Sequence, residues 1–295
     1  MNDVLNFSKK VAPVEELAKF YSLDNISVPE RRPYAWLMYV MTLDGKVTFR
    51  EPKAYGGDLI ALQHMREKEE RAIGAIIDWR LLQFGWAQAD AIVGSAAIIR
   101  TEDKQTWPIV DDDILDYRLN VLGKTEKYPI KVILTASGDI SLTEDMFTFP
   151  EHRTVVFASE NGKAVLDEKV ERLVADGKDY AKKVKIYEGG KNTVDAKFAV
   201  EKLKEEYGIR FLDVTGGPTV SGEFVWEKII DEYRVTFAPH IIGEKNSESR
   251  ERASSVILPK GRCFTPDTSV LFKLRDVRSY GSHTFHRYCN PLYRH

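Results

Sequence analysis

Apolar runs and amphipathic stretches alternate along most of this chain. Short, mainly apolar runs predict β-strands at residues 34–41, 89–93, 131–135, 154–158, 184–187 and 209–214. Apolar residues at helical spacing predict helices over residues 63–88, 196–207 and 219–230. The run from Tyr34 to Met41 is almost wholly apolar, which is typical of a strand buried on both faces. Strands separated by helices predict an α/β fold with a mostly parallel central sheet flanked by helices.

Both ends of the chain differ from this pattern. Residues 233–238 and 270–274 read as further strands, and residues 282–288 alternate strictly between polar and apolar. A hairpin around residues 279–281 would join the last two, which predicts an antiparallel C-terminal edge of the sheet. Residues 1–32 carry a short helical pattern and then a polar segment. We interpret them as an N-terminal extension that covers part of the core of a single domain at 33–295.

Composition and charge narrow the class of protein. The 295 residues are 43% hydrophobic and 30% charged, as in a soluble globular protein, and the net charge of −2 does not favour nucleic-acid binding. No apolar run approaches the roughly 18–20 residues of a membrane span, and the N-terminus does not resemble a secretory signal. Cys263 and Cys289 lack metal-type spacing, and His283 and His286 fall on opposite faces of a strand. We therefore expect no metal site and a reduced, cytoplasmic setting.

The strongest chemical signal lies between Phe211 and Thr219. This segment reads as a buried strand, a turn at Gly216 and Gly217, and a helix that begins near Pro218. Such a junction presents unpaired backbone N–H groups at a helix N-terminus, which can bind the phosphate of a nucleotide. A second glycine pair at residues 189–190 also follows a strand, but a loop follows it rather than a helix. The first pair is therefore the better phosphate site, although such pairs also occur in plain turns.

Other candidate residues stand at predicted strand ends, where ligands bind in open α/β sheets. Asp44 could bind an N–H-rich heterocycle, transfer a proton, or form an ordinary Asp-Gly turn. Small residues after the second strand could let a ligand approach the backbone or could serve tight packing. Hydroxyls after the third and fourth strands could hold a ribose or a 2′-phosphate, or could form turns, and residues 159–162 read as a polar turn. These positions are Gly94, Ser95, Ala97, Thr135, Ser137, Ala158 and Ser159.

The order of these pieces resembles a known family. The motifs are Thr42-Leu43-Asp44-Gly45-Lys46, residues 89–94 and 129–134, Thr215-Gly216-Gly217-Pro218-Thr219, and residues 230–233 before 238–243. In this order they resemble the pyrimidine reductases of riboflavin biosynthesis, which share the dihydrofolate reductase-like fold. The resemblance covers roughly residues 32–288. In bacteria such a reductase is the C-terminal half of a bifunctional deaminase–reductase, and in archaea and fungi it is a free-standing protein.

The resemblance implies an NADPH-dependent reduction in which the ribosylamino side chain of a phosphorylated pyrimidine becomes a ribitylamino chain. It places Gly216, Gly217, Pro218 and Thr219 against the cofactor's phosphates, and Gly94, Ser95 and Ala97 beside the cofactor. Thr135, Ser137, Ala158 and Ser159 would meet its adenosine half. Asp44 would border the substrate and nicotinamide, as the first candidate for a catalytic acid before Glu102 or Asp103. The family also leads us to expect a homodimer.

Three positions depart from the family pattern. Ala97 stands where a threonine is usual, Thr101-Glu102-Asp103 lacks the proline that usually follows two acids, and Thr215 replaces a glutamate. These changes leave the identity of the small heterocyclic substrate undecided. The alternatives are a dihydrofolate- or dihydropterin-type reductase and a dinucleotide-binding relative without catalysis. A phosphotransferase is a remote alternative, because no Walker lysine accompanies the glycines.

Overall fold

A computed structural model describes residues 9–50, 69–101 and 106–291. Its strands are β1 (Tyr34–Thr42), β2 (Ala91–Ser95), β3 (Ile130–Thr135), β4 (Thr154–Ala158), β5 (Lys185–Glu188), β6 (Phe211–Val214), β7 (Ile230–Ala238), β8 (Lys273–Tyr280) and β9 (His283–Cys289). Within the described ranges they form one nine-stranded sheet in the order β5-β4-β3-β2-β6-β1-β7-β9-β8.

The sheet is parallel from β5 to β7 and antiparallel at its other edge. Each neighbouring pair among β1 to β7 runs parallel. β9 pairs antiparallel with both β7 and β8, and the hairpin turns between Tyr280 and His283. The prediction of a mostly parallel α/β sheet with an antiparallel C-terminal edge is confirmed.

Helices cover both faces of the sheet. They are α1 (Val14–Phe20), α2 (Glu69–Gln88), α3 (Ala96–Thr101), α4 (Asp112–Asp116), α5 (Asp145–Thr148), α6 (Glu160–Ala175), α7 (Ala196–Tyr207) and α8 (Pro218–Trp226). Neighbouring strand residues point to opposite faces, so Trp36 joins a core with α1, α2 and α6, while Leu37 joins a core with α7 and α8. None of the described helices combines the length and the apolar composition that crossing a membrane requires.

Most predicted elements are present, with ends shifted by a few residues. Of the helix predicted over 63–88, residues 63–68 lie outside the described residues. The predicted turn at 159–162 is wrong, because Ser159 is the N-cap of α6 and its Oγ accepts the Gly162 N–H. The helix predicted over 219–230 ends at Trp226, and Lys228 then adopts a left-handed φ of +56° before β7 begins. The strand predicted at 270–274 begins only at Lys273 and runs on to the hairpin turn.

The N-terminal segment packs into the same core as the central strands. Leu17 and Phe20 of α1 are buried among residues of β1 and α2. The guanidinium of Arg287 in β9 donates to the Phe20 carbonyl at 2.9 Å and to the Glu232 carboxylate at 2.7 Å. Gln88 of α2 donates to the carbonyl of Tyr21 at 2.7 Å. Side chains of β9 and α2 thus satisfy backbone carbonyls of this segment.

One lysine is buried at the amino end of the sheet. Lys131 of β3 is 1% exposed, and its Nζ lies 3.1 Å from Nδ1 of His152. Burial, helped by the positive charge of Arg118, lowers the pKa of Lys131 from its ordinary value to about 7. The folded state therefore disfavours the charged form of this side chain.

Candidate cofactor and substrate site

The carboxyl ends of the parallel strands lie along one edge of the sheet, and β6 ends there before its neighbours β1 and β2. β6 ends at Val214, which lies level with Leu37 of β1 and Val93 of β2. Its two neighbours continue further, to Thr42 and Ser95. The flanking strands therefore leave a crevice between them beyond the end of β6. Crevices outside the carboxyl ends of strands are the usual ligand sites of open α/β sheets.

The paired glycines form the floor of this crevice. Gly217 has φ +81° and ψ 171°, a conformation that only glycine adopts readily. A Cβ on Gly216 would lie 2.6 Å from Val220, whereas a Cβ on Gly217 would meet nothing nearer than Ser95 Oγ at 4.0 Å. The first N–H groups of an α-helix have no intrahelical partner, and no described side chain caps those of α8. Gly216 serves packing, and Gly217 leaves open space in front of a helix N-terminus.

A buried threonine hydroxyl lies beside the glycines. The Thr215 N–H donates to the Val93 carbonyl at 3.0 Å, so the residue continues the pairing of β6 with β2. Its Oγ1 is buried and has no hydrogen-bond partner among the described residues. Ser95, on the neighbouring strand, accepts a long hydrogen bond of 3.4 Å from the Ile98 N–H. The hydrogen-bonding capacity of the Thr215 hydroxyl is therefore unused by the part of the chain that the structure describes.

The segment after β2 is less open than the glycine at its start predicts. A Cβ on Gly94 would lie 2.4 Å from the indole of Trp107, so that ring fills the space beside the glycine. Gly94 therefore packs against Trp107, and the approach of a ligand to its backbone stays a prediction. Ser95 is half-buried and Ala97 is exposed, so both stay accessible from the crevice.

Hydroxyl groups stabilise the loops after β3 and β4. Thr135 Oγ1 accepts the Gly138 N–H at 3.1 Å. Ser159 Oγ accepts the Gly162 N–H at 3.1 Å and donates to the Ala136 carbonyl at 2.5 Å. Both hydroxyls, which we expected to face a ribose or a phosphate, thus stabilise the two loops in this structure.

Beside the loop after β3, Ser137 and Arg100 present exposed polar groups. Ser137 Oγ accepts the Asp139 N–H at 3.2 Å, and Arg100 of α3 donates to the Asp139 carbonyl at 2.8 Å. Ala158 is fully buried, and its carbonyl accepts the Gly189 N–H at 2.7 Å. Sequence patterns did not single out Arg100, because only the packing of α3 brings it to the loop after β3.

Asp44 joins the turn after β1 to the loop after β7. Its carboxylate accepts the Gly243 N–H at 2.7 Å and the Ile242 N–H at 3.3 Å. Burial raises the pKa of Asp44, but hydrogen bonds from Thr42 and from the amides of Gly243 and Ile242 lower it below its ordinary value overall. An acid held ionised at neutral pH accepts hydrogen bonds but is a poor proton donor. The geometry therefore favours Asp44 as an acceptor and loop anchor over the proton donor that we expected.

The other two predicted acids, Glu102 and Asp103, lie outside the described residues. Within the residues that are described, no group of three histidine, cysteine or acidic side chains is arranged to hold a metal ion.

Asp213 is an acid that the sequence analysis did not single out. It lies fully buried in β6, where Trp36 Nε1 donates to its Oδ2 at 2.9 Å and its Oδ1 has no partner within the described ranges. Burial raises its pKa to about 7, against the opposing effects of the Trp36 hydrogen bond and the positive charge of Arg234. The signal in the sequence that could have identified it was an aspartate within an otherwise apolar strand. A carboxyl group that titrates near neutrality thus lies in the strand that leads into the glycine turn.

A family model matches most of this chain. The model of the family described as the RibD C-terminal domain matches residues 33–254, which is more than half of the chain. Among curated protein sequences, none matches this chain.

Several solved structures have a similar fold. A pyrimidine reductase-like protein from Corynebacterium diphtheriae is 19% identical with a TM-score of 0.61, and the match covers 92% of this chain and 97% of that one. The riboflavin biosynthesis reductase Rib7 of Saccharomyces cerevisiae is 15% identical with a TM-score of 0.53, over 94% of this chain and 98% of its own. RibD of Acinetobacter baumannii is 20% identical with a TM-score of 0.55 over 88% of this chain, which spans only 58% of that longer protein.

Proposed function

Because this chain belongs to the RibD C-terminal domain family, we propose that it is an NADPH-dependent reductase of a phosphorylated ribosylaminopyrimidine. The substrate would be 5-amino-6-(5-phosphoribosylamino)uracil or its diamino analogue. One observation carries the proposal within the site: an uncapped helix N-terminus and an open glycine, Gly217, lie together in the crevice between β1 and β2. That arrangement suits the pyrophosphate of a dinucleotide.

The residues of the crevice fit such a cofactor. The backbone from Gly216 to Thr219 would bind the pyrophosphate, since a Cβ on Gly217 would have no atom nearer than 4.0 Å and the amides of α8 have no side-chain cap. Ser95 and Ala97 would border the same phosphates from the neighbouring strand. Ser137 and the loop at Ala158 and Ser159 would meet the adenosine half. When bound, NADPH supplies the hydride, and the protein's part is to hold the reacting groups in position.

The substrate would bind beside Asp44. Its ionised carboxylate can accept N–H groups of a pyrimidine while it also holds the loop after β7. Leu43 and Ile241 adjoin it, because the Leu43 N–H donates to the carbonyl of His240 at 2.8 Å. These two apolar side chains are 61% and 77% exposed, and an aromatic heterocycle could cover them. Glu102 and Asp103 remain the candidate proton donors.

Titration with NADPH and NADH, followed by nicotinamide fluorescence, tests the cofactor. We expect NADPH to bind and to be oxidised, with a fall in absorbance near 340 nm, when the phosphorylated ribosylaminopyrimidine is added. Failure to bind either nucleotide contradicts the proposal. Oxidation with dihydrofolate or a dihydropterin instead would identify a reductase of that type, and binding without turnover on any of these acceptors would indicate a relative without catalysis.

We also propose, from the family, that the protein is a cytoplasmic homodimer. Light scattering on the purified full chain measures its mass in solution, and a monomer at micromolar concentration would contradict the dimer.

A further inference from the structure

We propose that Gly222 of α8 is a positioning residue for the reduction. It lets residues 253–257, which we call the bridging segment, join the turn that carries Asp44 to the start of α8 at a fixed separation. This inference rests on the proposed function, because that turn would border the substrate and α8 would hold the pyrophosphate of NADPH.

One end of the bridging segment is bound to the turn that carries Asp44. The Val47 N–H donates to the Ala253 carbonyl at 3.0 Å, and Ser254 pairs with Lys46 in an antiparallel bridge. The bridging segment therefore continues the backbone pairing of the turn beside which the substrate would bind.

The middle of the bridging segment is fixed to the sheet. The hydroxyl of Tyr233 in β7 donates to Ser255 Oγ at 2.8 Å. Val256 is half-buried and packs against the apolar core that the sheet shares with α7 and α8. The position of the bridging segment is therefore set along its length and not by its ends alone.

The other end of the bridging segment lies against the first turns of α8. The Ile257 N–H donates at 2.9 Å to the carbonyl of Pro218, the residue after the open glycine Gly217. A Cβ on Gly222 would lie 1.9 Å from the Ile257 carbonyl oxygen, whereas real Cβ atoms essentially never come within 3.0 Å of a neighbouring atom. Any side chain at Gly222 would therefore push helix and segment apart by more than about 1 Å. Glycine is less stable than alanine inside a helix, so this close approach explains its presence.

The separation of the two ends matters for the rate of the reaction. The backbone of residues 216–219 would bind the pyrophosphate, and Asp44 with the loop after β7 would bind the pyrimidine, so each half of the site is formed by its own residues. Hydride transfer also requires the nicotinamide and the acceptor carbon to lie in contact, and a misplacement of about 1 Å can lower a rate about 100-fold. A changed separation therefore slows the hydride transfer while it leaves the binding of NADPH nearly intact.

Gly222→Ala tests the inference, and Gly85→Ala is the matched control. Gly85 is also a buried glycine within a helix, but its added Cβ would meet the flexible side chain of Met38 at 2.9 Å on the opposite face of the sheet. The readouts are the dissociation constant for NADPH and the single-turnover rate of NADPH oxidation with 5-amino-6-(5-phosphoribosylamino)uracil, which excludes product release. We expect Gly222→Ala to lower the rate about 10- to 100-fold with NADPH affinity within about threefold of the wild type, and Gly85→Ala to keep the rate within about twofold.

Ser255→Ala is a second test that introduces no clash. It removes the acceptor of the Tyr233 hydroxyl and so loosens the bridging segment. We expect the single-turnover rate to fall about threefold, at unchanged NADPH affinity, because the reacting groups are held less closely in position. Denaturation curves show whether each variant is folded, and if Gly222→Ala is not, Ser255→Ala alone decides.

The outcomes separate this inference from the proposed function. If the wild type oxidises NADPH with this pyrimidine and the folded variants keep its rate, the inference is overturned and the proposed function stands. NADPH affinity more than about tenfold weaker in Gly222→Ala would also overturn it, since the contact would then shape the phosphate site itself. A wild type that does not oxidise NADPH with this pyrimidine overturns both.

Discussion

A charge placed at Gly217 should weaken cofactor binding for an electrostatic reason that can be separated from backbone strain. Gly217→Asp and Gly217→Asn have nearly the same shape, and both force a non-glycine residue into φ +81°, ψ 171°. Such a conformation costs about 1–3 kcal/mol, so both variants should lose a similar free energy of unfolding. Only the aspartate adds a negative charge. The comparison between the two variants therefore isolates the effect of charge on binding.

The size of that effect follows from the geometry. A Cβ at residue 217 points toward Ser95 Oγ, 4.0 Å away, and so into the space in front of α8. A carboxylate there would lie on the order of 5 Å from a phosphate bound at the helix N-terminus. At an effective dielectric constant of about 20, two negative charges at this distance repel by about 3 kcal/mol. That energy corresponds to about two orders of magnitude in the dissociation constant.

Fluorescence titration with NADPH measures the difference, and chemical denaturation of each variant checks that it is folded. We expect Gly217→Asp to bind about 100-fold more weakly than Gly217→Asn, with the gap shrinking as salt is added, because salt screens exposed charges. Equal dissociation constants for the two variants would refute the reasoning, since the phosphates would then not lie at this helix N-terminus.

Three further changes test the ionisable groups. The pKa of Asp213 is about 7 in the folded state, well above its ordinary value, so the wild type should lose up to about 4 kcal/mol of stability as pH rises from about 4 to 7. Asp213→Asn should remove this loss when stability is measured by urea denaturation. The same dependence of stability on pH in wild type and variant would contradict the prediction. The pKa of Lys131 is lowered to about 7, so the stability of the wild type should rise by up to about 5 kcal/mol between pH 7 and 10. Lys131→Met should be more stable than the wild type at pH 7 and should lack this rise. A variant less stable than the wild type at pH 7 would argue against the prediction. Asp44→Asn should lower kcat much more than NADPH affinity, because the carboxylate of Asp44 would face the substrate. Steady-state kinetics measure this effect, and an unchanged kcat would exclude Asp44 from the mechanism.

Local sequence patterns predicted the strands and the glycine turn for a clear reason. A buried parallel strand such as Tyr34 to Met41 is apolar at nearly every position, whatever it packs against. Gly217 needs a backbone conformation that other residues avoid, so its role is also visible locally. The start of α6 was missed because Asn161 and Gly162 favour turns, and only the cap formed by Ser159 shows that a helix begins there.

The roles of individual site residues depended on contacts between distant segments. Gly94 is covered by Trp107, and Asp44 is held ionised by amides of a loop about 200 positions further along the chain. The hydroxyls of Thr135 and Ser159 are bound within their loops, which no spacing of residues reveals. Burial and hydrogen bonding set whether a polar group is available, and both are properties of the packed structure.

The sequence alone therefore determined the order of the strands and helices and the glycine turn at 216–217, because these follow from apolar patterning and from glycine's backbone freedom. Only the tertiary structure decided that β6 stops short of its neighbours and opens a crevice there. It also decided that the Oγ1 of Thr215 is buried without a hydrogen-bond partner among the described residues. The physical reason is that strand register and the satisfaction of buried polar groups arise from contacts between segments that lie far apart in the chain.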